Sequence, residues 1–309
     1  MLFKIFNKIF NKTLPKHLIK SAVLSGKACL LKNELKYENF KNINEAELKI
    51  FSQNGEDGII DFLLFKLFIK NPKFVEIGVE NYDESNTRFL YESSDSRGLI
   101  IDESFDTEEL KNKLEYWKGR INLVKELITT GNIISILEKE KFINNLDVFS
   151  IDIDGIDYWI IKKLPKKISK IFIAEYNPVF GPDLEVTIPN LDNFNRTKYH
   201  FTNLCWGVSL KALIKLMISK GYFFIGTNLF KNNAFFVMNN YEDDFINLTK
   251  NINLNDLTNY TNHVFMESRD HGSKLTYLNR QQQIKKIRDC KVVDLSQEKE
   301  TCVKLKELI

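Results

Sequence analysis

The sequence predicts an α/β fold: a doubly wound, mostly parallel seven-stranded sheet that ends in an antiparallel hairpin, with a helical leader before it and a helical tail after it. Three observations predict it. Short apolar runs bounded by turn residues recur at 74–77, 98–101 and 148–151, and such runs read as buried parallel strands. Helical stretches separate them, and strands alternating with helices make βαβ units. Two closing strands joined by a short turn at 227–233 then form an antiparallel pair at one edge.

Taken in order, residues 55–70 read as a helix that starts near Glu56 and Asp57, where acids suit the positive end of the helix dipole. Strands are predicted at 73–77, 98–102, 121–125, 147–152 and 169–174. Helices are predicted between them at 84–93, 106–117, 131–141 and 156–164. A loop-rich stretch from Asn177 to Trp206 leads to a helix at 208–220 and to strands at 222–226 and 234–238. This divides the chain into a leader (1–45), an α/β domain (46–240) and a mostly helical extension (241–309) that carries no motif assigning it a role.

The 309 residues are 43% hydrophobic and 28% charged, as in ordinary soluble domains, and the net charge of +3 is too small to argue for nucleic acid. The four cysteines show no CxxC and no zinc spacing, so they read as reduced thiols of a cytoplasmic protein. The leader is amphipathic. Lys4, Lys8, Lys12, Lys16 and Lys20 form one stripe, and Leu2, Phe3, Phe6, Ile9 and Phe10 another. A basic amphipathic helix can lie in an anionic membrane interface, which would place the protein peripherally at the inner membrane face; a helix packed on the domain is the other reading. Pro15 breaks the segment.

In an open parallel sheet the ligand sits outside the carboxyl ends of the strands. The first, second and fourth strands carry Glu76, Asp102, Asp152 and Asp154 at or just past those ends, so their acids aim at one crevice. That arrangement suits a nucleoside ligand: one acid accepts from ribose hydroxyls, and a glycine, Gly78, lets the backbone approach closely.

Six segments, in this order, resemble bacterial FkbM-type methyltransferases and a related group met in surface-glycan loci. They are SQNGEDGII (52–60), FVEIGVENYDESNT (74–87), GLIIDES (98–104), SIDIDGIDYW (150–159), IAEYNPVFGP (173–182), and SLKALIKLMISKGY with NNAFFV (209–222, 232–237). Five βα units, a further helix and a terminal hairpin are also the Rossmann-like sheet plan of class I S-adenosylmethionine-dependent methyltransferases. The resemblance covers roughly 50–240. It implies methyl transfer from S-adenosylmethionine to an oxygen of a carbohydrate or related polar metabolite, with a small-molecule or glycan acceptor as partner.

The resemblance implies roles residue by residue. Glu76, Gly78, Asp102 and Asp152 stand where the family binds its cofactor, Asp102 on the ribose diol and Glu76 or Asp152 near the ammonium. Gln53, Asn54 and Glu56 would close over the ligand. Asp152, Asp154, Glu175 and Asn177 are similar to the metal ligands of catechol-type O-methyltransferases. There Mg²⁺ would bind a substrate oxygen and lower its pKa as a Lewis acid. In the competing reading these groups orient the substrate without metal, and Asp154 and Asp157 cap the next helix. Asn177-Pro178-Val179-Phe180 is similar to the (D/N)PP(Y/F) motif of amino-group methyltransferases, but it follows the fifth strand and lacks the second proline.

Asp154 and His200 are the candidate bases, and His200 has a side chain that titrates near working pH. Tyr176, Asn177 and Trp206 are the candidate substrate contacts. A different class stays open beside the enzyme: a non-catalytic Rossmann-like domain that binds a nucleotide or a partner.

Overall fold

The computed structural model describes residues 16–263 and 266–309. The leader's apolar residues Leu2, Phe3, Phe6, Ile9 and Phe10 lie outside them. Among the described residues, no helix is long and apolar enough to cross a membrane.

The main sheet has seven strands in the order β3-β2-β1-β4-β5-β8-β7. They are β1 (Lys73–Ile77), β2 (Arg97–Ile101), β3 (Ile121–Val124), β4 (Leu146–Ile151), β5 (Ser169–Glu175), β7 (Tyr222–Thr227) and β8 (Asn233–Met238). The first five are parallel; β8 runs antiparallel to both β5 and β7. The doubly wound sheet with its terminal hairpin is therefore the one the sequence predicts, and strand bounds agree within a residue or so.

Strand side chains alternate between faces. Val75, Leu99, Phe149 and Phe172 pack on one side of the sheet. Phe74, Ile100, Val148 and Ile171 pack on the other. Both faces are covered, which is why these strands read as continuous apolar runs and not as alternating ones. The helices between them are shorter than predicted, as α3 (Arg88–Ser93) and α5 (Ile133–Lys139) show.

Helices α1 (Lys16–Glu34), α2 (Glu56–Lys66) and α3 contact one another in front of β1. Asp57 shapes the turn before α2 by accepting the backbone N–H groups of Ile50, Phe51 and Ser52 at 2.8, 2.6 and 2.9 Å. Burial nevertheless pushes its pKa up to about 6. The turn leads directly to Gln53 and Asn54.

The extension is not helical throughout. Besides short helices it contributes β9 (Lys291–Asp294) and β10 (Thr301–Lys304), which form a three-stranded antiparallel sheet with β6 (Val186–Thr187) of the 177–206 loop. Strands of two to four residues in a polar stretch show too little periodicity to be read in advance. Their pairing ties the C-terminal residues to the loop that backs the cleft.

Candidate active site

The carboxyl ends of β1, β2, β4 and β5 open into one cleft of about 1010 Å³. Gly78 follows β1 with φ +82°, and a β-carbon there would stand 1.6 Å from the carbonyl oxygen of Asp152. The glycine is required by the protein's own backbone, because the loops after β1 and β4 pass in contact.

Asp102 follows β2 and ties that corner together. Its Oδ2 accepts from the backbone N–H of Val79 at 2.8 Å and of Glu80 at 2.9 Å. Its Oδ1 accepts from the Ser104 N–H at 2.7 Å and the Ser104 hydroxyl at 2.6 Å. A carboxylate has about four lone-pair directions, and four protein donors meet these. Asp102 lines the cleft as expected, but it also scaffolds the glycine loop, a role its sequence position did not reveal. Glu103, exposed on the same wall, is the next carboxylate along the chain.

Glu76 reaches the cleft edge but is 97% covered, with 3% exposed. It accepts from the N–H groups of Asn86 (2.8 Å) and Thr87 (2.9 Å) and from the Thr87 hydroxyl, fastening the start of α3. Burial, partly offset by these bonds, raises its pKa to about 7. Glu56 is fully buried and holds Asn54 N–H with the side-chain amides of Asn228 and Asn233, joining the turn before α2 to the β7–β8 hairpin.

On the β4–β5 side, one oxygen each from Asp152, Asp154 and Glu175 fall within 4.8 Å of one another. Burial raises the pKa of both Asp152 and Glu175, and the negative charges of neighbouring acids add to it. Arg196, on the short helix α7 (Arg196–Tyr199), faces this group. It pairs with Asp154 and, at 2.8 Å, with Glu267, and it lies 5.3 Å above the ring of Trp206. Asp157 is a strut: it accepts from Ile153 and Gly155 N–H at 3.0 Å each, which shapes the turn carrying Asp154.

The remaining expectations need correction. Asn177 is fully buried: its amide donates to the carbonyls of Leu204 and Trp206 at 2.9 Å and its oxygen accepts from Val179 N–H, so it joins neither acceptor nor metal. The NPVF turn pulls it away from the cleft. Tyr176 is also fully buried, with its hydroxyl on the Tyr260 carbonyl. Trp206 is fully buried too and meets the cleft through Arg196. His200 does not line the cleft. Its Nδ1 pairs with Thr202 Oγ1 at 2.6 Å.

Sequence reasoning missed Arg196, Glu267 and Phe230, all on the cleft wall. Arg196 sits in a turn capped by Asn195, a local signal that marks a helix start and says nothing of direction. Glu267 and Phe230 reach the site from 71 and 34 residues away from Arg196 along the chain, by subtraction of their numbers.

No family model matches the chain, and no curated protein matches it. Solved structures do. The pyocyanin biosynthetic protein PhzM is similar over 55% of this chain, at 11% identity and TM-score 0.34; the chain spans 51% of PhzM, about half its length. The N-terminal domain of EvdMO1 with SAH bound is similar over 61% of this chain and 81% of its own, at 10% identity and TM-score 0.37. A putative O-methyltransferase from Klebsiella pneumoniae is similar over 76% and 95%, at 10% identity and TM-score 0.34. At such scores the fold rests on the strand order itself. A parallel five-stranded series extended by β8 and β7, with β8 reversed, is a Rossmann-like sheet of the plan that the sequence predicts.

Proposed function

We propose that the cleft binds S-adenosylmethionine and that the chain transfers its methyl group to an oxygen of a carbohydrate or related polar metabolite, in surface-glycan modification. The observation that supports this reading best is the charge of the cleft. Twelve of its described lining residues are acids, and Arg196 is the one cation among them. S-adenosylmethionine carries a sulfonium and an ammonium and no phosphate, so it suits such a lining. A dinucleotide pyrophosphate favours backbone amides and cations and would be repelled. The cleft also has room for a cofactor and a small acceptor together.

Glu103, exposed beside Asp102, would accept from the ribose hydroxyls, with Asp102 holding that wall and the 78–81 loop in place; Asp152 would hold the ammonium. The cofactor supplies an already activated methyl group. The chain's own work is to align an acceptor oxygen and take its proton. Asp154 is the base in this reading: its side chain is 49% exposed to the cleft and Arg196 fixes its orientation. His200 is not proposed again. Phe230 and Phe194 flank the acceptor space.

We propose a metal-free mechanism. Asp152, Asp154 and Glu175 form a compact oxygen set, but Arg196 already engages Asp154, and the fourth expected ligand, Asn177, is turned into the core.

Thermal shift with S-adenosylmethionine, its demethylated product and sugar nucleotides tests the reading. Stabilisation by the first two supports it. A shift only with sugar nucleotides, or with none, favours the non-catalytic binding domain.

A further inference from the structure

We infer that the outward face of α1 is a contact surface for membranes that carry anionic lipid. The helix contains Lys16, Lys20, Lys27 and Lys32 against one acid, Glu34. Lys20, Leu24, Lys27, Leu31 and Leu35 recur at steps of three and four residues, which places them on one face. Leu24 and Leu31 are each 61% exposed, and Leu35, just past the helix end, is 87% exposed. The opposite face is engaged: Leu30 is buried, and Gly26 lies against Ile50 and Phe89.

The surface continues beyond the helix. The Tyr37 ring packs edge-on to Phe65 at 5.2 Å, which brings the end of α1 beside the end of α2. There Phe68 stands 91% exposed near Lys70, while Lys66 pairs with Glu38 at 3.5 Å. Large apolar side chains therefore project among exposed lysines, Lys20, Lys27 and Lys32 on α1 and Lys70 past α2. A helix of this composition lies flat at a bilayer surface, with leucines in the headgroup boundary and lysine stems reaching toward anionic headgroups. A second copy of the chain is a poorer partner, because it would set lysine against lysine. In the sequence the same pattern continues upstream through Phe3, Phe6 and Phe10, but the inference stands on α1. It is independent of the methyl-transfer reading, since α1 contributes none of the cleft's lining residues.

Co-sedimentation of the full chain with vesicles tests it, using phosphatidylglycerol with phosphatidylcholine or phosphatidylcholine alone. Binding should require phosphatidylglycerol and be released by high salt. A Leu24→Ser, Leu31→Ser, Leu35→Ser variant should fall to the level seen with phosphatidylcholine alone, with its melting temperature unchanged. A Lys20→Ser, Lys27→Ser, Lys32→Ser variant should lose the preference for anionic lipid. The inference is overturned if the leucine variant sediments like the parent chain, or if lipid charge makes no difference. It is equally overturned if Phe3→Ser, Phe6→Ser, Phe10→Ser alone removes binding, or if the leucines instead hold a dimer seen by ultracentrifugation.

Discussion

Gly78 and Asp152 meet through their backbones: the loop after β1 presses its glycine against the carbonyl of the residue that follows β4, leaving 1.6 Å for any β-carbon. The floor of the cleft is thus two loops in direct contact. Gly78→Ala combines a left-handed φ with an overlap that only backbone movement relieves, and should destabilise the fold by roughly 2–5 kcal/mol. Urea unfolding measures this. A variant as stable as the parent would show that the two loops move apart freely.

Asp102 carries the glycine loop and, in the proposed reading, the wall on which Glu103 meets the ribose. Asp102→Asn puts an amide where two backbone donors point and should weaken S-adenosylmethionine binding by roughly 1–3 kcal/mol. Titration calorimetry on the folded variant decides it. Unchanged affinity would detach the Asp102 corner from the cofactor site.

Arg196 is set against three carboxylates, and its removal should turn them into a better cation site. Arg196→Met is expected to bind Ca²⁺ or Mg²⁺ at least about tenfold more tightly than the parent, roughly 1.4 kcal/mol. In the parent chain, methyl transfer should survive EDTA. Activity lost to the chelator and restored by Mg²⁺ would overturn the metal-free mechanism.

His200 pairs with Thr202, away from the cleft. His200→Ala should therefore leave the steady-state rate of methyl transfer where it was. A large fall in kcat with the fold intact would return it to the reaction.

Acid should stabilise this protein. Glu76 is raised from 4.5 to about 7, and Asp57 and Asp157 from 3.8 to about 6, burial being the first cause in each. Each binds its proton more tightly folded than unfolded. The stabilising contribution is complete below the unfolded value and is lost as pH rises through the folded one. For Glu76 the window runs from pH 4.5 to about 7 and is worth on the order of 3 kcal/mol. Calorimetric melting should show the melting temperature falling across it, and Glu76→Gln should flatten the slope. A melting temperature that rises with pH over this range would refute the assignment.

Much of the fold was legible in the chain because it depends on local chemistry. Apolar runs such as 74–77 and 98–101 must be buried on both faces, which forces strands covered by helices. A carboxylate at the end of such a run must lie at the sheet's mouth. Hence Glu76, Asp102, Asp152 and Asp154 could be placed at one crevice from the sequence alone. What neighbours those acids would find was decided only by tertiary structure. Asn177 follows Glu175 by two residues, yet one turn sends it into the core to hold the carbonyls of Leu204 and Trp206. Arg196 and Glu267 carry no local mark, and they meet at the cleft because the 177–206 loop and the C-terminal extension pack together behind it. Periodicity reports which face of an element is buried; it says nothing of which distant side chain will come to rest against it.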